Sequence, residues 1–234
     1  MLEKEAIINE CLKQIGGENY LEIGVRHGTS IKLIRAKRSW GVDPKITLSN
    51  HPVKYFVKYI LAFLTGTRFF QMTSDHFLST QKRLLKKHGI DVALIDGLHT
   101  HEQTLKEVLC CLTYLKKGGI LVLHDCNPST PTMAYPAASF EDVAALNLPD
   151  WTLAWCGDVW KTIVYLRSFR KDLSVCVLNC DYGVGLIKVG QPESMLKLSA
   201  EDIKRLSYED LASDRARLLN LKDPSFLSEF IRTA

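Results

Sequence analysis

The chain reads as an α/β protein built on a doubly wound, mostly parallel sheet. Three observations predict it: short apolar runs alternating with amphipathic stretches, a glycine turn directly after the first apolar run, and carboxylates placed at the ends of later runs. The 234 residues suit one such domain with appendages. Hydrophobic residues make up 46% and charged ones 24%, an ordinary composition that argues against disorder. A net charge of +4 without a long Lys/Arg block offers no dedicated nucleic-acid surface. The seven cysteines form no C-x-x-C pair and sit mostly in apolar runs, which points to a reducing, cytoplasmic setting. Met1 to Glu5 opens with charges, so no export signal is expected. The longest lipophilic segment, Tyr55 to Thr65, is interrupted by Lys58 and is shorter than the ~20 residues of a transmembrane helix.

Ile7, Ile8, Cys11, Leu12 and Ile15 share one face of a helix over residues 3–16, which Gly16 and Gly17 stop. Tyr20 to Ile23 then reads as a buried strand. Gly24 and Gly28 make a tight turn, and Thr29 and Ser30 begin a helix running to about Lys37 and satisfy its free N–H groups. Such a corner cradles an anionic group. The spacing is G-x-x-x-G after Glu22 and not G-x-G-x-x-G, which favours a smaller nucleoside over a dinucleotide. Ser39 to Val42 form the second strand. Asp43 follows, 19 positions after Gly24, near the ~20-residue offset at which a carboxylate meets a ribose.

An insertion over 44–68 comes next: a loop framed by Pro44 and Pro52, then an aromatic-rich helix, Val53 to Leu64. That helix suits a lid, a homo-oligomer contact, a membrane-surface helix rimmed by Lys54 and Lys58, or simple packing on the sheet. Phe69 to Thr73 form a third strand, and Ser74 or Asp75 caps a helix over Phe77 to Lys87. Two further strands, Asp91 to Ile95 and Ile120 to Leu123, end in Asp96 and in His124-Asp125, with a helix from His101 to Leu115 between them. Both therefore release a carboxylate on the rim where open α/β sheets bind ligands. Residues 128–156 read as a long loop lending Tyr135, Phe140, Trp151 or Trp155 to a substrate pocket. Asp158 caps a helix that turns Trp160, Ile163 and Val164 inward. Leu173 to Leu178 and Val184 to Val189 make a hairpin at one sheet edge. The domain proper occupies 1–190, and 191–234 is its helical extension.

E-I-G-x-x-x-G-x-S (Glu22 to Ser30) and W-G-V-D-P (Trp40 to Pro44) resemble the first two motifs of class I S-adenosylmethionine-dependent methyltransferases. I-D-G-L-H (95–99), L-K-K-G-G-I-L-V-L-H-D-C-N-P (115–128) and G-D-V-W-K (157–161) extend the resemblance, over residues 20–190, to a subgroup of small-molecule and sugar O-methyltransferases. It implies a seven-stranded Rossmann-like sheet with an antiparallel edge strand. It also implies S-adenosylmethionine as cofactor, bound by Glu22, Gly24, Gly28, Thr29, Ser30, Asp43 and Asp96, with Ser74 and Asp75 near the adenine. The implied substrate is a small hydroxylated acceptor, a sugar or a secondary metabolite. Some relatives bind magnesium with acids at positions matching Asp96 and Asp125 and use a histidine matching His99 as base.

The chain departs from that pattern at Cys126, where an acid or amide is expected directly after Asp125. A thiol is a poor magnesium ligand, leaving Asn127 as the neighbouring oxygen donor; zinc would tolerate the thiol, but no Cys/His cluster supports a structural zinc site. On residue chemistry alone, His99 suits a general base because an imidazole titrates near neutrality, and it lies three residues beyond Asp96 on the rim. Asp96 and Asp125 equally suit hydrogen bonding to backbone amides at the strand ends. Two other readings remain: an NAD-dependent oxidoreductase, disfavoured by the missing middle glycine, and a non-catalytic nucleotide-binding module using Val53 to Leu64 as a partner surface.

Overall fold

Every residue of β1 (Asn19–Ile23) is buried in the computed structural model, which describes residues 2–49 and 52–232. The strand pairs in parallel with β2 (Arg38–Val42) on one side and β4 (Ile90–Ile95) on the other. β2 in turn pairs in parallel with β3 (Thr67–Phe70). Further along the chain come β5 (Leu115–Leu123), the antiparallel hairpin of β6 (Leu173–Leu178) and β7 (Val184–Val189), and the two-residue β8 (Leu221–Lys222). The sheet order is β3-β2-β1-β4-β5-β7-β6-β8. This is the expected doubly wound α/β class, with eight strands where seven were expected. The difference is β8, which pairs in parallel with Val177 and Leu178. Antiparallel β7 lies inside the sheet and β6 faces outward, so β8 covers what would be an unpaired edge.

The chain divides into two compact units: Glu5–Gly97 with Glu107–Leu121, and Met1–Lys4 with Leu98–Lys106 and Val122–Ala234. In the first, α1 (Lys4–Ile15) buries Ile7, Ile8, Cys11 and Leu12 and stops at the glycine pair, as the pattern predicts. Each such fully buried aliphatic side chain contributes about 1.5–3 kcal/mol. The helix expected over Ile31 to Lys37 is only a 3-10 turn, Ile31–Leu33, with Ile34 already extended. Asn9 of α1 causes this. Its amide nitrogen donates to Leu33 O (2.9 Å) and its oxygen accepts from Arg35 N (2.7 Å), tying the backbone off after one turn. Ser30 makes no cap; its hydroxyl donates to Glu5 (2.6 Å).

The aromatic-rich segment forms α2 (Pro52–Leu64); residues 50 and 51 of the insertion lie outside the described residues. The single helix expected after β3 is two, α3 (Ser74–Thr80) and α4 (Lys82–His88), meeting at Gln81. Thr73, rather than Ser74 or Asp75, caps α3 by accepting from His76 N.

The second unit holds the start of α5 (His101–Leu112), then α6 (Phe140–Ala145), the one helix in the otherwise irregular 128–156 loop, and α7 (Trp160–Phe169). Asp158 caps α5 and not α7, since its carboxylate accepts from His101 N at 2.6 Å. The tail carries α8 (Ala200–Arg205), α9 (Tyr208–Ser213), α10 (Arg215–Leu219) and α11 (Leu227–Arg232). Arg167, buried on α7, anchors it by donating to Arg217 O, Leu218 O and Ser194 Oγ.

Candidate active site

Within the first unit, the C-terminal ends of three parallel strands meet in register: Ile23 is level with Val42 on one side and Ile95 on the other. Gly24, Asp43 and Asp96 therefore leave the sheet side by side. The order β3-β2-β1-β4 reverses direction at β1, and such a switch point is where open α/β sheets hold ligands. Gly24 has φ +95°, and a Cβ there would fall 1.9 Å from Asp96 O, so only glycine permits this approach.

The carboxylates of this corner are held by the chain. Asp43 accepts from Arg26 N (2.9 Å) and Lys45 N (2.7 Å), which fixes both rim loops and aims what remains of its lone pairs. Glu22 is buried and accepts the Tyr20 hydroxyl at 2.7 Å; burial first, and this carboxylate second, push the phenol pKa well above its ordinary range. Buried Ser74 donates to Glu107 at 2.5 Å. Gly28 is buried, whereas Thr29 and Asp75 are exposed.

The second unit supplies an imidazole and carboxylate chain. His99 Nδ1 lies 2.8 Å from Trp155 O, and the two rings stand 5.2 Å apart. A carbonyl only accepts, so Nδ1 carries the hydrogen and Nε2 is left as the basic nitrogen. Nε2 lies 3.5 Å from Asp125 Oδ2. Asp125 is buried with φ +60°, a sparsely populated conformation that aims its carboxylate at this loop. Its Oδ2 lies 3.2 Å from His124 Nδ1, and its Oδ1 accepts from the Cys156 thiol. His124 Nε2 is 3.4 Å from Asp181, which also accepts from Lys4 N. The hydrogen bond from His124 is the main cause holding the Asp181 carboxyl below its usual range. A proton arriving at His99 would thus meet a carboxylate already backed by a second imidazole and a second acid.

Cys156 and Asp181 were not singled out by the sequence, and Trp155 was read only as a pocket residue. Asp181 is 56 positions from Asp125, and it sits in the hairpin turn with Tyr182, both at positive φ. Cys126 turns away from the rim: it is buried and its thiol points to Leu123 O and His124 O. Asn127 is drawn to the tail, its oxygen accepting from Arg215 and its nitrogen donating to Asn179. Lys161 donates to Lys204 O at 3.0 Å, at the end of α8.

Residues 21–126 match the family model of a methyltransferase domain. No match to a curated protein is found. Among solved structures, cofactor-bound Rv0187 from MTB superposes with a TM-score of 0.52 at 14% identity, over 81% of each chain. The O-methyltransferase TomG from Streptomyces achromogenes, solved with SAM, gives 0.52 at 13% over 80% of this chain and 79% of its own. A putative caffeoyl-CoA O-methyltransferase from Staphylococcus aureus gives 0.51 at 15% over 81% and 85%. Residues 21–126 are thus similar to a methyltransferase domain, and the likeness to these solved structures is one of fold.

Proposed function

We propose that the protein transfers a methyl group from S-adenosylmethionine to a hydroxyl of a small acceptor, a sugar or a secondary metabolite, with His99 as general base. The observation that carries this reading is His99 itself. Trp155 O fixes its tautomer, Asp125 stands beside its Nε2, and it sits three residues beyond Asp96 in the sequence. The sulfonium is a good leaving group, so the protein has to hold the acceptor in line, exclude water and take one proton. His99 Nε2 takes that proton, and the imidazolium formed is stabilised by the Asp125 carboxylate. Gly24, Gly28, Thr29, Ser30 and Asp43 form the cofactor side, with Asp43 toward the ribose hydroxyls and Glu22 supporting the corner from within. Ser74 and Asp75, at the start of α3, are the adenine-side candidates.

A divalent cation would draw on the carboxylates of Asp96 and Asp125. Asp125 stands between two imidazoles, and a mixed oxygen and nitrogen set suits manganese, iron or zinc better than magnesium, which prefers oxygen alone. Such an ion would acidify the acceptor hydroxyl. The Asn127 oxygen, which accepts from Arg215, is the third oxygen donor of this reading.

The test is transfer of label from S-adenosylmethionine to a panel of hydroxylated acceptors by the wild type and by His99→Gln. The expected result is a fall in kcat of roughly 10²–10⁴-fold with cofactor affinity unchanged. Equal rates for both proteins would remove the base assignment.

A further inference from the structure

We propose that α2 docks the protein on the surface of an anionic lipid bilayer. Eight large apolar side chains of this helix are 40–73% exposed. At 100° per residue, Val53, Phe56, Val57, Ile60, Phe63 and Leu64 fall within an arc of about 120°. That arc faces water. The opposite side, Lys58, Leu61 and Ala62 with Thr65 just beyond, lines a cleft of about 450 Å³ shared with Ile31, Leu48 and Phe69. The helix is held there by Lys58 Nζ donating to Leu48 O (2.8 Å) and by the Tyr59 and Phe69 rings, 6.0 Å apart. Its amphipathicity is therefore inverted relative to an ordinary surface helix, which turns its apolar stripe inward.

The surrounding charge selects the occupant. Between Gly24 and Ser74 the sequence carries nine Lys and Arg, of which Lys37 and Arg38 pair with Glu18, and a single carboxylate, Asp43, which accepts from two backbone amides. The rest of the chain carries 21 basic residues against 25 acidic ones. A basic segment around an exposed apolar helix matches the interface of a bilayer containing acidic lipids, where apolar burial and attraction to the headgroups act together. A second copy fits worse, since a two-fold contact apposes the same surface and would set cations against cations. Closure over the cleft fails too, because it would leave the apolar arc in water. Among the described residues no helix is long and apolar enough to cross a membrane.

The inference stands apart from the methyltransferase reading and is tested without turnover. The full chain is sedimented with vesicles of phosphatidylcholine, with and without about one-quarter phosphatidylserine. Binding is expected only with the acidic lipid, weakening as salt is raised. Phe56→Glu/Phe63→Glu should lower the bound fraction at least about tenfold while its thermal melt matches the wild type, since neither side chain lines the cleft. Three results would overturn the proposal: no sedimentation with acidic vesicles, equal binding by the variant, or a dimer in sedimentation velocity that the variant dissolves.

Discussion

Gly157→Ala separates the position of the His99 loop from the general cost of backbone strain. Gly157 has φ +58°, and an added methyl would lie 1.9 Å from His99 O and 3.2 Å from its Cβ. Real contacts of this kind stay above 3.0 Å, so the 98–100 backbone has to retreat by roughly 1 Å, a displacement of the order that costs about 100-fold in rate when it moves a catalytic group. The left-handed conformation adds about 1–2 kcal/mol for any non-glycine residue. Gly118→Ala is the control: it has φ +77° with nothing within 4 Å of the added methyl, so it carries the strain alone. Thermal melts should fall by some 2–8 °C for Gly118→Ala and further for Gly157→Ala. Single-turnover methyl transfer should drop about 100-fold for Gly157→Ala and stay at the wild-type rate for Gly118→Ala. Equal melting losses together with an unchanged rate for Gly157→Ala would refute the claim that this glycine sets the imidazole.

Arg167→Met should cost about 2–4 kcal/mol in urea unfolding, because the carbonyls of Arg217 and Leu218 lose a charged donor in a buried setting, and limited proteolysis should then cut the tail beyond residue 191 sooner. Burial holds the His101 imidazole below its ordinary value of about 6.5, beside Thr162 at 3.0 Å. The unfolded chain therefore binds that proton first as pH falls, so stability present above about pH 6.5 is lost below it; His101→Asn should flatten the dependence of the urea midpoint on pH across that window.

The parts of the fold that were legible were those with local signatures. The Tyr20 to Ile23 strand of β1, the two six-residue strands flanking Asn179–Gly183 and the glycine stop after α1 all follow from short local patterns and turn chemistry. Several of the misreadings share a cause, which is a distant element capturing a backbone that local rules had assigned elsewhere. Asn9 ends the turn at Ile34, Asp158 caps a helix 57 positions away, and β8 exists only because Leu178 has an open edge. The same holds at the site. Asp43, Asp96, His99 and Asp125 stand at strand ends and could be read from spacing, whereas Trp155 O, His124 and Asp181 join through folding alone. Cys126, next to Asp125 in sequence, points into the core because Asp125 takes the left-handed conformation.

Isothermal titration of S-adenosylhomocysteine and of NADH into the wild-type protein bears most directly on whether the Gly24, Asp43 and Asp96 corner is a methyl-donor site. One-site binding of S-adenosylhomocysteine with no heat from NADH is the predicted result. Binding of NADH without S-adenosylhomocysteine would contradict it.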